Sequence, residues 1–229
     1  MRWEWAIVLA TLMLVAIPAI AQARRDGAAN PGLRFLALGD SYTIGEKVDS
    51  MDRWPVQLAR LLRTRRVNVA DPEIVARTGW TTDELAAGIS VASPVGPFRL
   101  VTLLIGVNNQ FRGRDAERYR AEFDALLAQA VEFAAGKATR VLVLSIPDWG
   151  VTPFASGRER SRISAEIDKF NAINRDESTR AGVRYVDITP SSREGRDGWT
   201  APDGLHPSGL QYRRWAEAAL ESAILAIKN

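Results

Sequence analysis

Short apolar runs recur along the chain and alternate with segments of helical periodicity. Leu33–Leu38 is an apolar run bounded by Gly32 and Gly39, and Leu100–Ile105 is a second run, ended by Gly106. Runs of this length between turn residues are typical of buried strands. Similar runs, the first of them weaker, predict three further strands at residues 73–76, 140–146 and 183–188.

Helical patterns fill much of the chain between these runs. Apolar residues such as Tyr119 and Phe123 recur with a 3.6-residue period in the clearest of them. Another pattern follows Asp52, a possible cap, and has Pro55 in its first turn. The last begins after Ser208, which a glutamine follows three residues later, as in a capping box. The predicted helices cover residues 54–62, 119–134, 158–177 and 208–227.

This alternation predicts the fold class. Buried strands separated by amphipathic helices form a parallel sheet that helices cover on both faces. Ligands bind to such sheets beyond the carboxyl ends of the strands. Polar or glycine-rich motifs follow four of the predicted strands there, at Ser41, Gly79, Asn108 and Trp149.

The first 23 residues differ from the rest. Residues 1–23 have an arginine near the start, an apolar middle and a final Ala21-Gln22-Ala23, the layout of a cleavable secretory signal peptide. An uncleaved membrane anchor is the alternative, but Pro18 interrupts an apolar run that is short for a full span. We therefore expect an exported protein, periplasmic or secreted, with one domain at residues 24–229 and no membrane span after cleavage.

Composition narrows the possible chemistry. The chain of 229 residues has no cysteine and one histidine, which excludes disulfides and thiolate nucleophiles and argues against a transition-metal site. We expect no metal and no cofactor. The formal net charge is +3, and the densest basic stretch, Arg60–Arg66, falls at a predicted helix end. No recognisable nucleic-acid-binding motif accompanies it, so we expect no nucleic-acid partner.

The one histidine lies in a short motif near the C-terminus. His206 follows Asp203 by three residues, and a carboxylate beside an imidazole can fix its tautomer for work as a base. A second motif, Gly39-Asp40-Ser41, places a serine in the turn after the first strand. Such a turn exposes the hydroxyl, although an ordinary capped turn has the same residues.

Two further motifs are weak when each is taken alone. Asn108 follows the third predicted strand and can offer its side-chain N–H to a developing oxyanion, although asparagine also favours plain turns. Gly79 follows the second strand, where glycine lets the backbone N–H approach a substrate closely. The chain has no G-x-S-x-G and no phosphate-binding loop motif.

Together, the four motifs make the chain resemble the GDSL, or SGNH, hydrolase superfamily of serine esterases and lipases. The resemblance spans nearly the whole chain after residue 23 and implies a flavodoxin-like, three-layer α/β/α fold with about five parallel strands. It implies Ser41 as the nucleophile, His206 as the base and Asp203 as the residue that orients His206. The Ser41 and Gly79 N–H groups and the Asn108 side chain would form the oxyanion hole.

Two positions depart from the family pattern. Tyr42 stands where the name motif has leucine, and we expect it to affect packing or the pocket. Asn109 stands where many members have aspartate after the oxyanion asparagine, which puts the local hydrogen bonding in doubt.

The substrate is less well defined by the sequence. Trp149 and Phe154 follow the fourth strand, and with Trp80 and Ile44 they can wall an acyl or aryl pocket, although each can also simply pack a loop. We expect a short-chain carboxylesterase or a lysophospholipase-like acylhydrolase acting on small-molecule, lipid or glycan esters. A carbohydrate O-acetylesterase is the alternative, and an exported binding protein without activity is an alternative from another class.

Overall fold

The computed structural model describes residues 31–229, and the segment expected to be a signal peptide lies outside them. Gly32–Asn229 forms one compact unit. Its five strands form a single parallel sheet in the order β2-β1-β3-β4-β5, which confirms the predicted fold class. The strands are β1 (Phe35–Gly39), β2 (Glu73–Ala76), β3 (Leu100–Leu104), β4 (Val141–Leu144) and β5 (Arg184–Val186).

Helices connect the strands and cover the sheet. They are α1 (Ser41–Ile44), α2 (Trp54–Thr64), α3 (Thr82–Ala92), α4 (Val107–Phe111), α5 (Ala116–Phe133), α6 (Arg160–Arg180), α7 (Thr189–Ser192) and α8 (Gly209–Lys228). Short 3₁₀ turns occur at Ser50–Asp52, Ala138–Arg140, Trp149–Val151 and Pro153–Ala155. The long helices α2 and α8 pack together, as do α3 with α5 and α5 with α6.

The direction of chain progression reverses at β1. From β1 the chain moves to β2 on one side, and it then returns to β3 on the other side of β1. The loops after β1 and β3 therefore leave the same edge of the sheet in opposite directions. This is the position at which open α/β sheets bind their ligands.

Local sequence signals account for some of the helix ends. Ser208 caps α8 as predicted, because its hydroxyl accepts a hydrogen bond from the Gln211 N–H at 3.4 Å. The other half of a capping box is not formed there, because the Ser208 N–H donates to the Trp199 carbonyl. Asp52 does not cap α2, because it lies within a 3₁₀ turn and Arg53 occupies the cap position. Helix α3 was not predicted, although Thr81 and Glu84 form a full capping box at its start.

Gly106 is needed at the start of α4 for two reasons. Its φ is +124°, and an added Cβ would lie 2.4 Å from the Tyr119 hydroxyl. Gly113, just beyond the other end of α4, has a φ of +61° and open space around it. Gly113 therefore shows the cost of a left-handed backbone alone, whereas Gly106 combines a more strained backbone with a steric clash.

We expect Gly106→Ala to lower the free energy of unfolding by about 3 kcal/mol and Gly113→Ala by about 1 kcal/mol. Urea denaturation of both variants measures the difference. Equal losses in the two variants would show that the contact with Tyr119 is unimportant.

Candidate active site

Ser41 lies at the first position of α1, directly beyond β1. Asp40 caps this helix, because its Oδ1 accepts a hydrogen bond from the Tyr42 N–H at 3.0 Å. The Ser41 residue is 5% exposed. Within the described part of the chain, its backbone N–H donates to no acceptor and its hydroxyl forms no hydrogen bond. The capped turn therefore fixes the backbone of Ser41, while the Ser41 N–H and hydroxyl are free to form hydrogen bonds with a ligand.

His206 is bound to Asp203 through its ring. The His206 Nδ1 and Asp203 Oδ2 atoms are 2.6 Å apart, and Asp203 Oδ1 accepts hydrogen bonds from the Leu205 and His206 N–H groups. Partial burial alone would raise the pKa of Asp203, but these hydrogen bonds outweigh it and lower the pKa below its usual value. Asp203 therefore remains ionised and leaves only Nε2 of His206 free.

Backbone hydrogen bonds fix the loop that carries His206. The His206 carbonyl accepts a hydrogen bond from the Ala201 N–H at 2.7 Å, and the Ser208 N–H donates one to the Trp199 carbonyl at 2.8 Å. A further bond runs from the Phe154 N–H to the Gly204 carbonyl at 3.0 Å. The imidazole thus has a defined position although it lies far from Ser41 in sequence.

One apolar cavity of about 150 Å³ brings the predicted polar residues together. Ser41, Gly79, Asn108 and His206 all line it. No hydrogen bond joins Ser41 to His206 within residues 31–229. The Tyr42 ring meets the His206 ring edge-on at 5.9 Å between centroids. The cavity walls are formed by Tyr42, Thr78, Val107, Phe111, Trp149, Phe154 and Leu205.

Gly79 and Asn108 present N–H groups at this cavity. Gly79 has a φ of +86°, and its carbonyl accepts a hydrogen bond from Arg112 Nη2 at 2.6 Å, which fixes the orientation of the turn. Among residues 31–229 the Gly79 N–H donates to no acceptor. Asn108 Nδ2 donates to the Trp80 carbonyl at 2.9 Å. An amide nitrogen carries two N–H bonds, so Asn108 keeps one for a ligand.

The structure explains the asparagine at position 109. Asn109 is fully buried; its Oδ1 accepts from the Thr82 N–H at 3.1 Å, and its Nδ2 donates to the Thr82 hydroxyl at 2.7 Å. The Thr82 hydroxyl in turn donates to Glu122. An aspartate at 109 would compete with Glu122 for that single proton. The amide therefore suits this network, which ties α4 to the start of α3.

The aromatic residues predicted at the pocket divide into two groups. Trp149 and Phe154 line the cavity, whereas Trp80 and Ile44 do not. The Trp80 ring packs on α3, where a Cβ on Gly88 would lie 2.0 Å from it, and it lines a separate groove beside that helix. Phe111 lines the cavity and was missed. The sequence could have indicated this, because Phe111 follows Asn108 by three residues and so lies on the same side of α4 as Asn108.

Buried polar contacts hold Trp149 in place. Its Nε1 donates to Gln110 Oε1 at 2.8 Å. The preceding Asp148 side chain is buried, accepts from the Gly150 N–H at 2.8 Å and pairs with Arg193 Nε at 2.8 Å. The Trp149 ring lies 5.5 Å from that of Phe111, centroid to centroid. The wall of the cavity is thus fixed before any ligand arrives.

The Asp40 carboxyl group is buried, and only one of its two oxygens accepts a hydrogen bond. Its Oδ2 atom has no hydrogen-bond partner among the described residues. Burial raises the pKa of Asp40 from 3.8 to about 7, although the hydrogen bond from the Tyr42 N–H lowers it in part. The ionised carboxylate is therefore disfavoured in the folded protein.

Three further features of residues 31–229 concern long apolar helices, metal-binding clusters and the basic stretch. Residues 31–229 contain no helix long and apolar enough to cross a membrane and no cluster of three or more His, Cys, Asp or Glu side chains able to hold a metal ion. The basic stretch lies at the end of α2, where Arg63 pairs with Asp71 and Arg65 with Glu221. These pairs are those of a solvated helix end.

The comparisons with known proteins agree with the fold and the motifs. The GDSL-like lipase/acylhydrolase family matches residues 37–214, and the chain belongs to that family, as its motifs predicted. No curated protein matches the chain at a significant level.

Several solved structures share the fold at low sequence identity. TesA is 19% identical with a TM-score of 0.63, over 82% of this chain and 97% of its own. Axe2, an acetylxylan esterase from Geobacillus stearothermophilus, is 17% identical with a TM-score of 0.63, over 84% and 94%. EstA, a psychrotrophic esterase from Pseudoalteromonas sp. inhibited there by monoethylphosphonate, is 15% identical with a TM-score of 0.62, over 86% and 99%.

We expect Asn109→Asp to lower the free energy of unfolding by about 2 kcal/mol at pH 8, because two carboxylates would then share the Thr82 proton. The loss should shrink at low pH, where the new carboxyl is protonated. The double variant Asn109→Asp/Glu122→Gln should recover at least half of the loss. Chemical denaturation at both pH values measures these effects, and an equal loss in the double variant would contradict the proposed network.

We expect Asp40→Asn to stabilise the protein relative to the wild type as the pH rises. The pKa of Asp40 is raised on folding from 3.8 to about 7, so its favourable contribution is complete below pH 3.8 and is lost as the pH rises through 7. The asparagine keeps the acceptor for the Tyr42 N–H. The stability difference should grow by about 3 kcal/mol between pH 5 and pH 8, and a constant difference in urea melts would refute the assignment.

Proposed function

We propose that the protein is an exported serine esterase that hydrolyses carboxylic esters through an acyl-enzyme on Ser41. The observation that carries this proposal is one cavity lined by Ser41, Gly79, Asn108 and His206, with Asp203 bound to the far side of the His206 ring. This is the arrangement that nucleophilic catalysis by a hydroxyl requires: an activated serine, a base and a group that orients the base.

The proposed reaction uses the free nitrogen of His206. Nδ1 is bound to Asp203 at 2.6 Å, so Nε2 takes the Ser41 proton as the hydroxyl attacks the ester carbonyl. His206 then donates that proton to the leaving alcohol and later activates a water that hydrolyses the acyl-enzyme. Catalytic hydrogen bonds are often long or unformed before substrate binds, so the missing bond between Ser41 and His206 is compatible with this mechanism.

Three N–H groups support the proposed oxyanion hole. The Ser41 and Gly79 N–H groups have no acceptor within residues 31–229, and the Asn108 amide has one N–H to spare after its bond to Trp80. Gly79 and Asn108 are only partly buried, so water can bind their N–H groups until a ligand accepts hydrogen bonds from them. The negative oxygen of a tetrahedral intermediate is such a ligand.

The cavity favours a short acyl group. Its volume is about 150 Å³, and an apolar cavity of about 150 Å³ accommodates a molecule the size of benzene. A short-chain carboxylesterase is therefore the first candidate for the function. A lysophospholipase-like acylhydrolase would have to let most of a long acyl chain leave the cavity past Phe111 and Phe154, which are 50% and 37% exposed.

A carbohydrate O-acetylesterase is the second candidate. An acetyl group fits the cavity, and the exposed Phe111 and Phe154 rings can stack on a sugar. Axe2, which shares the fold, is an acetylxylan esterase. A binding protein without activity is less well supported, because the serine, the histidine and all three oxyanion donors are present.

Export rests on the first 23 residues alone, which have the layout of a signal peptide. We expect cleavage after Ala23 and a mature chain beginning at Arg24, in the periplasm or the medium. N-terminal sequencing of the protein from each cell fraction measures this. An intact N-terminus in the membrane fraction would support an uncleaved anchor instead.

Hydrolysis of p-nitrophenyl esters from acetate to palmitate tests the proposed reaction. We expect chelator-resistant activity that is highest for acyl chains of about two to six carbons, given the cavity volume. Ser41→Ala should abolish it. Asn108→Ala should lower kcat by about 100-fold to 1000-fold, because it removes one oxyanion donor.

Thermal melting serves as the control for folding of both variants. Undiminished activity in a folded Ser41→Ala variant would overturn the mechanism, and an unchanged kcat in Asn108→Ala would remove that residue from the site. A preference for palmitate would favour the acylhydrolase, whereas activity on acetylated xylan far above that on p-nitrophenyl acetate would favour the carbohydrate esterase.

A further inference from the structure

An arginine lies against the outer side of the aromatic cavity wall. The Arg158 guanidinium carbon is 4.8 Å from the centre of the Phe154 ring, 5.7 Å from that of Trp149 and 6.0 Å from that of Phe111. Distances up to about 6 Å allow cation–π attraction. Three rings therefore hold one cation at the rim of the cavity that contains Ser41.

The Arg158 side chain has no hydrogen-bond or ion-pair partner in the described part of the chain. No carboxylate pairs with it, and its guanidinium donates no hydrogen bond to any of residues 31–229. The neighbouring arginines differ, because Arg160 donates to the carbonyls of Ala155 and Thr152, and Arg162 pairs with two glutamates of its own segment. All five N–H donors of Arg158 are thus available to a ligand.

A second, larger cavity adjoins the same wall. It is a groove of about 670 Å³, and its lining includes Phe111, Trp149, Arg158 and Lys169. Phe111 and Trp149 also line the small cavity. A molecule with its ester at Ser41 can therefore extend across these rings into the groove.

The lining of the groove holds four cations (Arg114, Arg158, Arg162 and Lys169) and three carboxylates (Asp115, Glu159 and Glu166). Its glutamates, Glu159 and Glu166, pair with Arg162, and Asp115 accepts the first N–H groups of α5. Its remaining arginine, Arg114, pairs with Asp83. Among residues 31–229, Arg158 and Lys169 are the groove's cations without a carboxylate partner.

We propose that Arg158 is a specificity-determining residue that binds an anionic group, a carboxylate or a phosphate, on the ester substrate. The proposal rests on the proposed esterase function and narrows its substrate class to anionic esters. A guanidinium matches both anions with paired hydrogen bonds, and the three rings hold it in place beforehand. The anion would occupy the groove while the ester carbonyl lies at Ser41.

The test compares matched anionic and neutral esters. For a carboxylate on the acyl side, the pair is the p-nitrophenyl monoester of glutaric acid and p-nitrophenyl pentanoate. For a phosphate-like group on the alcohol side, the pair is the acetate of 4-(phosphonomethyl)phenol and that of 4-ethylphenol. The readout is the ratio of kcat/KM for the anionic ester to that for the neutral ester, which cancels general damage to the enzyme.

We expect Arg158→Gln to lower this ratio about tenfold in at least one pair, mainly through KM, because it removes charge-assisted hydrogen bonds. Arg158→Lys should retain part of the preference. Arg160→Gln, which removes a neighbouring arginine that binds the Ala155 and Thr152 carbonyls and does not line the groove, should leave the ratio unchanged. The pair that responds identifies the side of the ester that carries the anion.

A binding measurement separates this inference from the esterase proposal. In a Ser41→Ala background, calorimetry with the glutarate monoester and with the phosphonomethylphenyl acetate should show binding of the responding ester that Arg158→Gln weakens about tenfold. Hydrolysis with an unchanged ratio in both pairs would overturn the role of Arg158 and leave the esterase standing. No hydrolysis of any ester by the wild type would overturn the esterase, and the binding of both probes would still decide whether Arg158 holds an anion.

Discussion

The parallel pairing of β1 with β3 is the constraint on which the site depends. Gly39 pairs with Leu104 at the ends of these strands, so the residues that follow each strand leave the sheet side by side. Ser41 and Asn108 are far apart in the chain and yet line one cavity for this reason. Because β2 lies on the other side of β1, the loop that carries Gly79 reaches the same edge. A change in strand order would separate all three donors.

The histidine reaches this edge by a different route. Its loop lies between β5 and α8 and is held by backbone hydrogen bonds to neighbouring turns. Gln57 of α2 also donates to the Gly209 carbonyl at 2.9 Å, where α8 begins, which joins this loop to the packed α2–α8 pair. The position of His206 is therefore set by helix packing and loop hydrogen bonds, whereas that of Ser41 is set by the sheet.

The sequence predicted β1, β3 and β4 well because they are short, apolar and bounded by glycine or proline. The patterns of β2 and β5 are less apolar, since these strands begin with Glu73 and Arg184. Helix α3 was not predicted because its residues are largely small and give little apolar periodicity. The Thr81–Glu84 capping box was its one local sequence signal. Ser41, Gly79 and Asn108 could be found because each follows a strand in a recognisable motif, and His206 could be found because it is the one histidine of the chain and follows Asp203 by three residues. The placement of Trp80 on α3 depends on the missing side chain of Gly88, a tertiary contact that no local pattern reveals. The contact of Arg158 with three rings from two segments is likewise visible only in three dimensions.

Covalent labelling of the serine tests the central claim most directly. The protein is incubated with an aryl phosphonate ester, whose phosphorus forms a bond to an activated serine oxygen as the aryl alcohol leaves, and its peptides are analysed by mass spectrometry. The account predicts one adduct per chain, on Ser41, that forms at least about 100-fold more slowly in a folded His206→Ala variant. No adduct, an adduct on another serine, or labelling at the same rate without His206 would contradict it.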